Sequence, residues 1–235
     1  FDAAIIFSDI LMVPWALQRN VRFKTNVGPL LDPMQSPKAI EQSLIDNLTQ
    51  KLAPVGEALR LTKSNMSPET ALIGFAGAPW TVMTYMAEGG SSRDFAITRE
   101  WAWKYPKQVD ALLSSLIEST ISFLSLQASN GADALMLFDS WASVVPAAQR
   151  DWLVTRPARL IIEGLRKNGY KQPVIGFPKG IGEGLINYVE QSGVDAVGLD
   201  HCVDPVWVNH NLPQNFPVQG NLDPLSLLQA GPEMF

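Results

Sequence analysis

Six short apolar runs limit what this chain can fold into: residues 3–7 (AAIIF), 71–75 (ALIGF), 134–138 (ALMLF), 173–177 (PVIGF), 196–199 (AVGL) and 216–219 (FPVQ). None alternates polar with apolar residues. Strands read this way when both of their faces are covered, as in parallel sheets. Helical patterns lie between them. The clearest is predicted over 106–129, where Val109, Leu112, Leu113, Leu116, Ile117, Ile121 and Leu124 recur at three- and four-residue steps and share one stripe. Asn130-Gly131 then supplies a left-handed stop. A second pattern around Leu160, Ile161 and Leu165 stops at Asn168-Gly169, and a third over 182–191 stops at Gly193. Strand, helix, glycine stop, strand is the rhythm of repeated βα units.

Residues 16–36 break that rhythm. They hold Gly28-Pro29 and Asp32-Pro33, show no long period, and read as an excursion from the first strand with a short hairpin at 21–23. Ser36-Pro37 is predicted to cap and start the next helix. No linker divides the chain, so 1–235 is expected to form a single domain. A run of 235 residues suits one large α/β domain. Strand count alone favours an open doubly wound sheet, because a closed barrel needs eight strands. The chain enters a strand almost at once and stops at Gly231-Pro232-Glu233-Met234-Phe235 just after a helix, so it is expected to be a piece of a longer protein, truncated at both ends.

Composition excludes several classes. A net charge of −5 argues against a nucleic-acid surface. The one cysteine, Cys202, cannot form an internal disulfide, which fits a reducing compartment. No apolar run reaches the ~18 residues of a membrane span. Gly180-Ile181-Gly182-Glu183-Gly184 lacks the Lys-Ser/Thr of a phosphate loop, and there is no G-x-S-x-G elbow. His201-Cys202 and His210 invite a zinc reading, but adjacent side chains at a strand end are expected to point apart.

Most of the runs lead directly into small or polar residues: Ser8-Asp9, Gly77-Ala78-Pro79, Asp139-Ser140-Trp141, Pro178-Lys179, Asp200-His201 and Gly220-Asn221. In parallel α/β folds these carboxyl ends share one face, and that face carries the ligand site. An Asp or Ser there is often only a cap or turn residue; Asp223-Pro224 reads as a cap. Asp9 differs, because Phe7, Ile10, Leu11 and Met12 flank it. A carboxylate in apolar surroundings needs a donor or keeps its proton, which makes Asp9 the leading functional candidate. Trp80 and Trp141 are expected to pack. The bare stretch GFAGAPWTVMTY over 74–85 is expected to pass from strand to amphipathic helix. It permits either tight contact with a neighbour or close approach of a flat ligand to the backbone.

The stretches AAIIFSDIL (3–11), GFAGAPWTVMTYMAEGGSS (74–92), FDSWA (138–142), PVIGFPKG (173–180), GVDAVGLD (193–200) and QGNLDP (219–224) resemble uroporphyrinogen decarboxylases of the bacterial type, in the family's order and over nearly the whole chain. The resemblance implies a (β/α)8 TIM barrel in place of the open sheet, here incomplete, with about six core strands. It implies loss of carbon dioxide from the four acetate side chains of uroporphyrinogen, giving coproporphyrinogen, with no metal and no organic cofactor. Asp9 matches the family's central aspartate, and Tyr85 and Ser140 match substrate-contacting positions. Phe75 and Gly77 fall in the stretch expected to lie against the macrocycle. Lys179 and Arg93 are expected to help meet the substrate's carboxylates. The resemblance also implies a cytoplasmic homodimer acting on a small molecule, without nucleic acid or membrane. The family's Arg-bearing first loop and His-bearing last loop have no match here, and Ser143 and His201 stand where the family often has Gly and Trp. Two rivals are a corrinoid methyltransferase of the same superfamily, which would hold zinc through His and Cys, and a non-catalytic porphyrin-binding paralogue.

Overall fold

The computed structural model describes residues 2–25 and 28–229. In chain order, β1 (Ala3–Ile5) leads into α1 (Met12–Ala16), and β2 (Arg22–Lys24) pairs with β3 (Gly28–Leu30). Next come α2 (Gln42–Asp46), α3 (Leu48–Asn65), β4 (Ala71–Gly77), α4 (Pro79–Glu88), α5 (Ala96–Lys104) and α6 (Pro106–Ser129). Then follow β5 (Ala134–Asp139), α7 (Ala147–Arg150), α8 (Arg156–Lys167), β6 (Val174–Pro178), α9 (Gly184–Ser192), β7 (Ala196–Gly198), α10 (Pro205–Asn211), β8 (Val218–Gln219) and α11 (Pro224–Gln229). The Gly231–Phe235 end lies outside the described residues.

All six predicted strands lie in one sheet, ordered β1-β4-β5-β6-β7-β8, and every pairing in it is parallel. A doubly wound sheet reverses its strand order at a switch point. Here spatial order follows chain order, as in the wall of a (β/α) barrel, and β1 and β8 form the two edges of an incomplete barrel. The β2–β3 ribbon is the expected excursion, antiparallel and separate from the main sheet.

The register sets two unlike faces. Leu72, Leu135, Leu137, Val174 and Val197 point outward and are fully buried under the helices. Ile5, Ile73, Phe75, Met136, Phe138 and Phe177 alternate with them and point to the concave side, where Ile5 is 45% exposed. The outer face leaves little room. A Cβ on Gly176 would lie 2.5 Å from the hydroxyl of the buried Tyr188 and 2.9 Å from Val194. Gly176→Ala is therefore expected to cost about 1–3 kcal/mol, read as a lower urea midpoint at unchanged slope.

The helix stops follow the sequence reading: Gly131, Gly169 and Gly193 all adopt positive φ. Three expectations are corrected. Ser36-Pro37 starts no helix; α2 begins at Gln42 after Glu41, and neither helix of this pair has a side-chain cap. Helix α4 is not amphipathic, since every residue from Pro79 to Ala87 is buried. A helix enclosed on all sides has no polar stripe to betray its period. Finally, α6 has the length and the mean hydropathy, 1.4, of a membrane-crossing helix. Its apolar stripe instead serves the fold: Val109, Leu112, Leu116 and Leu124 are completely buried against the rest of the protein.

Candidate active site

The carboxyl ends of the strands gather the candidate residues. Past β1 the chain turns sharply, and Asp9 adopts φ 95°. A non-glycine residue there persists only where its surroundings over-determine it. Its Oδ1 accepts the Leu11 N–H at 2.8 Å, and the residue is 8% exposed. Burial pushes its carboxyl above the ordinary value of 3.8, and the Leu11 N–H pulls it back. The apolar surroundings inferred from sequence are present, except that Phe7 is 79% exposed and lies beyond the end of β1.

The bareness of Gly77 has a packing cause. A Cβ there would lie 2.8 Å from the Ile10 carbonyl and 3.1 Å from the Ile10 Cβ. The space reserved by this glycine is filled by the segment that carries Asp9, rather than left for direct approach of a ligand to the backbone.

Tyr85, on the last turns of α4, is buried, and its hydroxyl feels the Asp9 charge. Burial lifts that hydroxyl above its usual value, nearness to Trp141 lowers it, and the Asp9 charge raises it again. The Trp141 Nε1 is itself buried and completes no hydrogen bond in this arrangement. The rings of Tyr85 and Trp141 lie 6.5 Å apart, and Ser140 immediately precedes this tryptophan, half-buried. Asp9, Tyr85 and the Ser140–Trp141 turn thus meet at one end of the sheet.

Two features escape the sequence reading. One is a row of aromatic rings. Phe7 lies 5.9 Å from Phe75, Phe75 packs edge-on against Phe138 at 5.6 Å, and Phe138 against Phe177 at 5.8 Å. The signal was present, because the first four apolar runs all end in Phe. The other is Asp139, at the end of β5. It is 3% exposed and accepts the Thr81 hydroxyl at 2.6 Å. Burial pushes its carboxyl up to about 7, against the hydroxyl and N–H of Thr81, which lower it. Burial and then the Asp139 charge also push the neighbouring Tyr188 hydroxyl up. In the folded state Asp139 keeps its proton from the ordinary value of 3.8 up to about 7, where an unfolded chain releases it. Protons bound in excess by the native state make stability fall as pH rises through that window. Denaturant midpoints at pH 5 and pH 7 are expected to fall in that order, and Asp139→Asn to remove this component of the difference.

Beyond this cluster, a cavity of about 420 Å³ opens between the loops after β6 and β7, with Glu183, Asp200, Cys202 and Asp204 among its walls. Potential ligand atoms of Asp200, His201 and Cys202 lie within 4.8 Å of one another. The expectation that His201 and Cys202 point apart is corrected: β7 ends at Gly198, so these residues sit in a turn, where strand alternation does not apply. Both Asp200 oxygens already accept backbone N–H groups, from Gly180 and Cys202. Lys179 and Arg93 are exposed, Lys179 at the end of β6 and Arg93 after α4.

The family model for uroporphyrinogen decarboxylase (URO-D) matches residues 1–235. The uroporphyrinogen decarboxylase of Novosphingobium aromaticivorans is 46% identical over the whole chain, which covers 68% of that protein. The one from Maricaulis maris is 45% identical over 98% of the chain and 66% of its own length. The chain thus spans about two thirds of the length of these relatives. Among solved structures, a methyltransferase from Methanosarcina mazei matches 99% of the chain and 68% of its own, with a TM-score of 0.80 and 14% identity. That is a likeness of fold alone.

Proposed function

From the premise that this chain belongs to the uroporphyrinogen decarboxylase family, we propose that the complete protein removes carbon dioxide from the four acetate side chains of uroporphyrinogen III, giving coproporphyrinogen III, with Asp9 at the centre of the site. The observation that carries this reading is the buried Asp9 carboxylate, held at one oxygen by Leu11 and within electrostatic reach of Tyr85.

Protonation of a pyrrole ring makes an iminium-like cation. The electrons of the acetate C–C bond flow into it as carbon dioxide leaves; a proton then adds to the released methylene, making a methyl group, and the ring gives up the proton it first took, which restores the pyrrole. Asp9 accepts hydrogen bonds from pyrrole N–H groups and favours the cation. A preorganised charge shielded from water is worth far more than one in water. Tyr85 and Ser140 bond the acetate or propionate groups. Phe75, 2% exposed, acts from beneath: it packs behind Phe7 and Phe138, and the aromatic row they form offers an apolar floor to the macrocycle. Gly77 acts indirectly, by letting the Asp9 segment close against β4. Lys179 and Arg93 offset part of the substrate's negative charge. The 1–235 stretch works as one domain of a cytoplasmic homodimer.

The test is incubation of the complete protein with uroporphyrinogen III, following products that have lost one to four carboxyl groups by chromatography. Stepwise conversion is expected; intact substrate after many equivalents of enzyme would reject the activity.

A further inference from the structure

Helix α4 starts without a side-chain cap of its own, because Ala78 occupies the N-cap position. The first N–H groups of any helix need acceptors from elsewhere. Asp139 supplies one from the end of β5: the Thr81 hydroxyl donates to its Oδ1 at 2.6 Å, and the Thr81 N–H also turns to it. The same Thr81 oxygen accepts the Trp141 N–H at 3.1 Å. Around this chain, the Ala78 N–H donates to the Phe138 carbonyl at 2.8 Å, and Trp80 Nε1 donates to the Trp141 carbonyl at 3.0 Å. Ser140 is bracketed on both sides by these bonds. Tyr85 lies one turn beyond Thr81 on the same face of α4.

We infer that Asp139 is a positioning residue for the proposed reaction: through Thr81 it locks the β5 exit to the start of α4 and so fixes Ser140 and Tyr85 relative to one another. The inference rests on the site assigned above. Asp139 touches no substrate. It acts as the external cap of a helix enclosed on all sides, which explains why a carboxyl group is tolerated where burial disfavours its charge. An uncharged acid serves as well as an ionised one here, because only an acceptor oxygen is required. That distinguishes it from Asp9, whose charge is the point.

The prediction follows from the acceptor role. In the complete protein acting on uroporphyrinogen III, Asp139→Ala lowers kcat on the order of 10²-fold, with KM changed far less. Asp139→Asn keeps an acceptor oxygen in the same place and restores most of the rate. Thr81→Val removes the two bonds of the Thr81 hydroxyl, to Asp139 and from the Trp141 N–H, keeps the backbone N–H to Asp139, and reproduces a large part of the loss, which secures the test if Asp139→Ala folds poorly. The decisive readout is a double-mutant cycle with Tyr85→Phe. If Asp139 acts by placing Tyr85, the second substitution costs much less in the background of the first. Losses that simply multiply, or an asparagine variant as poor as alanine, overturn the inference while leaving the site assignment intact. A fully active Tyr85→Phe overturns the assignment and the inference together.

Discussion

Asp9→Asn is expected to lower the kcat of the complete protein on uroporphyrinogen III by roughly 10²–10³-fold. Asparagine is the informative replacement. It tolerates positive φ better than most residues, so the φ of 95° survives, and its side-chain oxygen can still accept from Leu11. What it removes is the negative charge opposite the developing cation. The acid limb of kcat/KM is expected above pH 3.8, because burial raises the Asp9 carboxyl. Activity should fall as pH drops through this raised value, above 3.8, and the limb should vanish in the variant. Asp9→Gly makes a second comparison. Glycine adopts positive φ at no steric cost, so that variant should be inactive yet about 1 kcal/mol more stable than Asp9→Ala, which loses the same Leu11 bond but keeps the strain. A gap of that size, with both variants inactive, would place the strain of this residue in the service of the site. An asparagine variant within about threefold of the parent rate would remove Asp9 from the centre of the mechanism.

Much of the scaffold was legible because a sheet covered on both faces writes itself as unbroken apolar runs. All six runs became neighbours in one sheet. The arrangement of those strands was not legible from the runs alone. Six strands suit an open sheet or an incomplete barrel equally well, and only the motif resemblance favoured the barrel. The uninterrupted strand order then bears it out. Local signals failed where tertiary contacts decided the matter. Ser36-Pro37 has the chemistry of a helix start, yet the helix begins at Gln42. Asp139 looked like an ordinary turn residue because its partner, Thr81, lies far away in sequence. Asp9 was legible for the opposite reason, since its apolar neighbours are adjacent in the chain. The aromatic row was written as a repeated final letter, but its meaning depends on the shared concave face that the register creates.

The largest stability effect is expected at Gln127, a residue on α6 without any role in the chemistry. Residues of β4 turn their backbone groups alternately to its two neighbours. The Leu72 carbonyl accepts from Asp133 and the Ala78 N–H reaches Phe138, both toward β5, whereas the Ala71 N–H donates to Asp2, toward β1. By that alternation Phe75 faces β1, yet pairing with β1 ends at Ile73. Gln127 takes the place of the absent strand. Its Oε1 accepts the Phe75 N–H and its Nε2 donates to the Phe75 carbonyl, both at 2.8 Å, with the amide 2% exposed. Gly74 makes the approach possible, since a Cβ there would lie 2.7 Å from Oε1. Gln127→Met keeps the volume and leaves two buried backbone groups unsatisfied, each worth about 1–3 kcal/mol, so a loss of about 2–6 kcal/mol is expected. Urea unfolding at constant slope reads it directly. Gly74→Ala should disturb the same pair of bonds, so its cost should shrink in the Gln127→Met background. Because Phe75 stands at the centre of the aromatic row, loosening its backbone should also blunt the concave face. A loss below about 1 kcal/mol would mean that these groups find other partners once the amide is gone, and that the end of β4 is held by the β5 ladder alone.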